Sequence, residues 1–379
     1  MKFSCIKDNL SIGLSITSHI PTKNANLPIL NNVLMVAKNG SVRLTATNLE
    51  MAISCLIRGK VEEEGDLTVP SKLFSDYVSL LPNEKVNIRI EGQMMLVSCG
   101  SYKTKMNGLP AADFPLVPSI TATRSYQIPA EKFRHTLSQV LFAVAANESR
   151  PELAGVFMKF HTSSPEKGIV TLATTDSYRL TECQIGVNSS SSEEISVIVP
   201  AKTMAEVGRI LSIFRDDVET PSDLTVNLSE NQIVFVFGTV ELISRTIDGT
   251  YPDYRQIIPK TFQTEAKIDR EDFIKIVKAA SLFSKSGLFD VNVEFQPGGS
   301  VTVSAVDAAR GENTASCSAK EISGQVNAVT LNYRYLLDGL QALNTDDISF
   351  QMIDAANPCV LKPVSSSNEY LYILMPIRQ

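Results

Sequence analysis

The stretch VTLATTDSYR (residues 170–179) returns, altered but recognisable, as VRLTATNLEM (42–51) and VTVSAVDAAR (301–310). Each copy alternates apolar with small or polar residues and then breaks at Asn48, Asp176 or Asp307. Alternation with period two marks a half-buried strand, and the Asn or Asp marks the turn that ends it. A stretch that recurs three times means one structural unit used three times, so the repeat decides the fold before any single element does.

The same spacing holds on both sides of this strand. Upstream, FSCIKDNLSIGL (3–14), YQIPAEKFRHTL (126–137) and AKIDREDFIKIV (266–277) each place a short strand before an acidic or amidic turn. A helix then follows, with apolar pairs Leu10/Leu14, Phe133/Leu137 and Phe273/Val277 at the i, i+4 spacing of one buried face. Downstream, LTVPSKLFSDYVSLL (67–81), VIVPAKTMAEVGRIL (197–211) and VTLNYRYLLDGLQAL (329–343) carry a strand into Pro70, Pro200 or Asn332 and on into a second helix. Lys72, Lys202 and Arg334 share one position there, and Leu81, Leu211 and Leu343 another. A fourth set, VNIRIEGQMMLVSC (86–99), LTVNLSENQIVFVF (224–237) and ISFQMIDAANPCVL (348–361), reads as strands.

The 379 residues therefore hold three α+β units of about 126 residues, each with two helices packed on antiparallel sheets. Solenoid repeats run to about 20–50 residues, so these are domain-sized. The expected domains are 1–123, 124–260 and 261–379, with helices over 7–19, 71–81, 130–143, 201–215, 270–285 and 333–343. The runs EEEG (62–65), NSSSSEE (188–194) and RDD (215–217) read as solvated loops.

Composition narrows the function classes. Hydrophobic residues make up 44% and charged residues 20%, the balance of a folded chain with a core. No apolar run is long enough for a membrane helix, and Lys7 and Asp8 interrupt the N-terminus where a secretion signal needs an unbroken apolar stretch. Six scattered cysteines without a C-x-x-C pair read as buried thiols of a cytoplasmic protein. Three separated histidines offer no metal site, no cofactor motif is present, and nothing groups a nucleophile with a base, so no catalytic residue is assigned. DAARGEN (307–313) offers an Asp and an Arg, but at a repeat position where the other copies differ.

The net charge of −6 argues against simple attraction to nucleic acid. Its distribution argues the other way. The six expected helices carry 12 Lys and Arg against 7 Asp and Glu, a net of +5, so an acidic chain has basic helices. Such helices can present one positive surface to a phosphate backbone. The chain closes on EYLYILMPIRQ (369–379), a strand with apolar residues on both faces that Pro376 stops. A segment this apolar needs something to cover it.

The three-unit architecture, together with LPAADFP (109–115), SRPELAGV (149–156), TTDSYRLT (174–181), DGTYPDYRQIIP (248–259) and the closing MPIRQ, resembles the bacterial sliding clamp family, the β subunit of the replicative DNA polymerase III. The resemblance spans the whole chain. It implies a non-catalytic processivity factor: a head-to-tail homodimer closed into a ring, with helices lining a hole for double-stranded DNA held without sequence preference. The interface it implies is Thr104 and Met106 against Ser281 and Leu282. The DNA contacts it implies are Lys23, Asn147, Arg150, Lys202 and Arg209. It implies a peptide pocket of Leu153, Thr175, Tyr178, Arg179, Leu180, Pro252, Ile257, Ile373 and Met375. The implied occupants are the replicative polymerase, the clamp-loader ATPase and repair proteins that carry clamp-binding peptides. Two other classes stay open to the residues alone: an enzyme on a triplicated α+β scaffold, and a cytosolic peptide-binding scaffold without DNA. Retention on circular DNA separates the clamp from both.

Overall fold

The computed structural model describes residues 1–20, 27–117, 121–146, 149–164, 167–189, 194–214, 221–296, 298–364 and 369–378. Three successive units share one order of elements, with one additional short strand, β5, in the first. The first runs β1 (Lys2–Ile6), α1 (Lys7–Thr17), β2 (Asn32–Lys38), β3 (Ser41–Thr47), β4 (Met51–Ile57), β5 (Lys60–Glu63), β6 (Gly65–Pro70), α2 (Ser71–Ser79), β7 (Lys85–Glu91), β8 (Met94–Cys99) and β9 (Tyr102–Asn107). The second runs β10 (Arg124–Pro129), α3 (Ala130–Val140), β11 (Gly155–Ser164), β12 (Lys167–Thr175), β13 (Arg179–Ser189), β14 (Ile195–Pro200), α4 (Ala201–Ile213), β15 (Asp223–Leu228), β16 (Gln232–Phe237) and β17 (Val240–Arg245). The third runs β18 (Thr264–Asp269), α5 (Arg270–Ser281), β19 (Asp290–Gln296), β20 (Ser300–Asp307), β21 (Gly311–Gly324), β22 (Asn327–Asn332), α6 (Tyr333–Ala342), β23 (Asp347–Met352), β24 (Cys359–Pro363) and β25 (Tyr370–Leu374).

The expected helix faces are the buried ones: Leu10, Leu14, Phe133, Leu137, Phe273 and Val277 are all 1% exposed or less. The helices begin at the residues the sequence reading gave, but with no turn before them. Strand runs straight into helix, and the acidic residues expected in a turn, Asp8, Glu131, Glu271 and Asp272, lie in the first helical turn. Negative charge there meets the positive end of the helix dipole. Helix ends are trimmed too: α3 stops at Val140 and a 3₁₀ turn covers Leu141–Ala143, while α5 stops at Ser281. EEEG is not a loop, since Glu62 and Glu63 lie in β5 and Gly65 opens β6; exposed positions on an edge strand carry charge readily. The tip of the NSSSSEE run (190–193) and RDD lie outside the described residues.

The three repeated strands that decided the fold end in the same way. The side-chain oxygen Oδ1 of Asn48 accepts from the backbone N–H of Glu50 and Met51, Asp176 from Tyr178 and Arg179, and Asp307 from Ala309 and Arg310. One short polar side chain bonds two backbone donors ahead of it, which is why each copy keeps Asn or Asp there.

Sheets run through the junctions between units. β4 of the first unit pairs antiparallel with β17 of the second, joining β6-β2-β3-β4 to β17-β16-β15-β10. β13 of the second unit pairs in the same sense with β25 of the third, joining β14-β11-β12-β13 to β25-β24-β23-β18. Within each unit the two helices pack on each other and on the sheets.

Candidate functional site

The C-terminal strand β25 is covered from both sides. Tyr372 is fully buried, packs at a tilt against Phe142 with ring centres 5.4 Å apart and donates its hydroxyl to the carbonyl of Tyr335. It fits because position 339 is glycine: a Cβ there would stand 2.1 Å from the Tyr372 ring. The opposite face carries Ile373, which sits opposite Leu180 on β13 and opposite Val360 on β24. Leu153, Leu180, Ile198, Val360 and Ile373 form one buried cluster with Tyr251 and Tyr254, separate from the main core. Leu153 reaches it from a 3₁₀ turn, Pro151–Leu153, held by the Ala145 N–H donating to its carbonyl. Burial holds the Tyr251 and Tyr254 phenols protonated, and Tyr254 donates to Glu182, itself 8% exposed.

The turn after β12 sets the rim. Thr175 Oγ1 donates to the Arg179 carbonyl at 2.7 Å and accepts from Ser177 N–H, and Ser177 takes a left-handed φ of +78°. This geometry pushes Tyr178 outward to 64% exposure. The Met375 N–H donates to the Tyr178 carbonyl at 2.9 Å, so the chain past β25 stays tied to this turn. Pro252 accepts from Tyr254 N–H, and Ile257, 42% exposed, ends the 3₁₀ turn Tyr254–Ile257 beside Ile258, which packs on the cluster. Of the nine expected pocket residues, Leu153, Leu180 and Ile373 thus form a floor. Thr175, Tyr178 and Met375 are bonded around it, and Pro252 and Ile257 flank its tyrosines. An apolar floor with exposed apolar neighbours and backbone groups at its edge suits a short peptide with aliphatic or aromatic anchors.

Arg179 departs from a free rim cation. Its guanidinium donates to Asp176 at 2.9 Å, to Asp338 at 2.6 Å and to the Phe142 carbonyl at 2.7 Å, and it lies 4.3 Å from the Tyr335 ring centre. Burial opposes the charge, yet the Tyr372, Asp338 and Asp176 around it raise its pKa above the ordinary value. Arg179 is therefore a bolt between the second and third units. Sequence reasoning missed Asp338, although one signal pointed to it: the sixth residue of the second helix is acidic in every unit, Asp76, Glu206 and Asp338.

Of the expected DNA contacts, Lys23 and Asn147 lie outside the described residues. Lys202 is exposed on α4. Arg150 is half exposed and bonds Glu152 and Ser177. Arg209 is mostly spoken for: it pairs with the buried Glu206 and donates to the carbonyls of Ser15 and Ile16 at the end of α1, at 3.0 and 2.9 Å. Cations stabilise a helix C-terminus, so Arg209 fixes the first junction and presents little free charge. Of the expected interface residues, Thr104 and Ser281 are half-buried and Leu282 is 68% exposed. Met106 is a correction. Alternation along β9 turns its side chain into the first unit's own core at 5% exposure, so only its backbone is on the sheet edge. All three histidines are on the surface, beside Glu206, Asn344 and Glu194 respectively for His19, His135 and His161. No group of metal-binding side chains occurs among the described residues, and no helix there is long and apolar enough to cross a membrane.

Comparison with known proteins places this geometry. Models of the DNA polymerase III beta subunit match in tandem: the N-terminal domain over residues 1–118, the central domain over 127–253 and the C-terminal domain over 255–378. The beta sliding clamp of Synechococcus elongatus is 30% identical over 382 residues, covering 100% of this chain and 99% of its own. The crystal structure of the DNA polymerase sliding clamp from Bacillus subtilis aligns with a TM-score of 0.92 at 25% identity, over 100% of this chain and 99% of that one. A sliding clamp from Bartonella birtlesii, solved bound to griselimycin, aligns at 0.90 and 27% identity over the full length of both. With three domain models in order and relatives matched end to end, this chain belongs to the family of the DNA polymerase III beta subunit, the non-catalytic sliding clamp of DNA replication.

Proposed function

We propose that two copies of this chain close head to tail into a ring around duplex DNA, and that the buried cluster under β25 receives the clamp-binding peptides of its partners. One observation carries the ring. At each internal junction the last strand of one unit pairs with the strand after the Asx turn in the unit before it: β17 with β4, and β25 with β13. The first unit's last strand, β9, and the first half of β21 in the third unit are the counterparts left over, each with one strand neighbour there. A second copy supplies what each lacks. Two such contacts close a ring of six units, whereas contacts that failed to close would grow a filament. Charge supports the match, since Lys103 and Lys105 lie on β9 and Glu312 on β21.

On this reading the domains fall at 1–123, 124–260 and 261–379, and Thr104 meets the third unit's edge near Ser281 and Leu282 of the other copy. Lys202, Arg150, Lys23 and Asn147 meet phosphates without reading bases, and Arg209 holds the helices that carry them. Contacts of this kind position DNA without specifying sequence, so the ring can slide. The replicative polymerase, the clamp loader and repair proteins use the one pocket, and the protein acts in the cytoplasm. The bound griselimycin of the Bartonella clamp supports a ligand site in the family.

Native mass spectrometry at micromolar concentration tests the ring. A single species near twice 41.4 kDa is expected. A stable monomer, a trimer or a ladder of open chains contradicts it.

A further inference from the structure

We propose that Arg310 crosses the head-to-tail junction to Asp76 of the partner subunit, repeating between chains the Arg179–Asp338 bridge that bolts the second and third units within one. The inference rests on the ring reading and adds to it the residue pair that locks each junction.

The repeat fixes which residues correspond. Arg179 and Arg310 each stand three positions after the Asx-turn acid, Asp176 and Asp307. Asp338 and Asp76 are each the sixth residue of the second helix. Tyr335 and Leu73 are each its third residue. Phe142 and Leu282 stand at the same distance from the start of the first helix, which begins at Ala130 in one unit and Arg270 in the other.

The contacts then agree one by one. Arg179 donates to the Phe142 carbonyl, and Arg310 reaches the equivalent carbonyl of Leu282 at 3.5 Å. Arg179 spans to Asp338 of the next unit; Arg310, in the third unit, bonds Ser286 Oγ of its own unit at 3.0 Å instead. Asp76 is exposed on α2, and among the described residues its carboxylate has no ion-pair or hydrogen-bond partner, while its backbone carbonyl accepts from Ser79 Oγ. The apolar cover is also waiting on both sides. Arg179 is sandwiched by Tyr335 and Phe142, whereas Leu73 and Leu282 are 56% and 68% exposed. The first junction obeys the same rule with other residues. There the corresponding acid, Glu206, takes His19 at 2.8 Å, and His19 occupies the position of Phe142 and Leu282. In two junctions of three, the acid of the second helix bonds a side chain from across the seam, His19 or Arg179. Asp76 and Arg310 are the halves of the third.

Once covered by Leu73 and Leu282, this pair is partly desolvated, and removing one partner strands the other charge. The test is the dimer dissociation constant, measured by dilution in mass photometry, for wild type, Asp76→Arg, Arg310→Asp and the double exchange. Each single variant is expected to weaken the dimer at least about tenfold, ~1.4 kcal/mol, and the double exchange to recover most of that loss. Both side chains are exposed in the single chain, so melting temperatures measured at dilutions where the protein is monomeric should barely move. Asp76→Asn and Arg310→Gln serve as milder substitutes if either reversal misfolds, and each is expected to weaken the dimer. Unchanged dissociation in the single variants, or a double exchange as weak as the sum of its parts, overturns the pair while leaving the ring standing. A wild-type chain that stays monomeric overturns the ring reading itself.

Discussion

The two internal junctions are built on one backbone and differ in their side chains. At the first, the Arg245 N–H donates to the Glu50 carbonyl at 3.2 Å; at the second, the Met375 N–H donates to the Tyr178 carbonyl at 2.9 Å. These are equivalent positions past the same strand pairing, β17 on β4 and β25 on β13. A charged pair, Glu50 and Arg245, thus stands where the other junction has Tyr178 and Met375. Ala52 stands where the other has Leu180. The bolts differ as well: Glu206 with His19 and Arg209 at the first, Arg179 with Asp338 at the second. A repeated scaffold offers the same strand pairing at both internal seams, and on the reading proposed above a few side chains make one of them a peptide site and leave the other a joint.

Breaking the bolts should give the largest effect. Arg179→Ala removes a guanidinium bonded to two carboxylates and a carbonyl and leaves Asp176, only 14% exposed in its side chain, without its cation. A loss of about 2–4 kcal/mol is expected, discounted because Asp338 can turn to water. Arg209→Ala should cost less, about 1–2 kcal/mol, because His19 remains on Glu206. Urea melts of the two variants check the order; equal losses would mean the two seams are held alike.

Next comes the pocket. Met375→Arg writes the first junction's residue into the second. The chain should stay folded, since Met375 lies past the end of β25, while affinity for a polymerase-derived peptide falls at least about tenfold. Fluorescence anisotropy beside a melt of the same sample reads both. Full affinity in a folded variant would return the C-terminal strand to plain core packing.

The smallest effect lies at the two seam cysteines. Cys55 faces Val240 across the first seam and Cys183 faces Tyr370 across the second. Burial raises both thiols, Cys55 to about 11 from an ordinary 9.0. A folded-state pKa above the unfolded one gives stability that is whole below pH 9.0 and lost as pH climbs through 11. Melts from pH 8 to about 11 should fall on the alkaline side, and Cys55→Ala should flatten part of that fall. A melt that holds steady across this range would contradict the burial of these thiols.

Much of this architecture was legible in the sequence because it rests on local rules. Period-two strands, i, i+4 helix faces and Asx-turn residues can each be read from a few neighbours, and three copies reinforce one another. The pocket floor was legible only through family resemblance, since Leu153, Leu180 and Ile373 come together from three separate segments. What was illegible is what a charge does once folded. Arg179 was expected to line the pocket and Arg209 to touch DNA, but their partners Asp338, Ser15 and Ile16 lie 159 and more than 190 residues away. Met106 was an interface residue by family resemblance alone, and alternation along its strand turned the side chain inward.

The ring's meaning is topological, so topology is the most direct test. The protein, loaded on a nicked circular plasmid by a clamp-loader ATPase with ATP, is separated from free protein by gel filtration and then challenged by cutting the plasmid once. The account predicts that it stays with the circle through moderate salt and leaves within minutes of the cut, and that Lys202→Glu lowers the amount retained. Protein that stays on the cut linear DNA as firmly as on the circle, or that never survives filtration on the circle, would contradict a closed ring around the duplex.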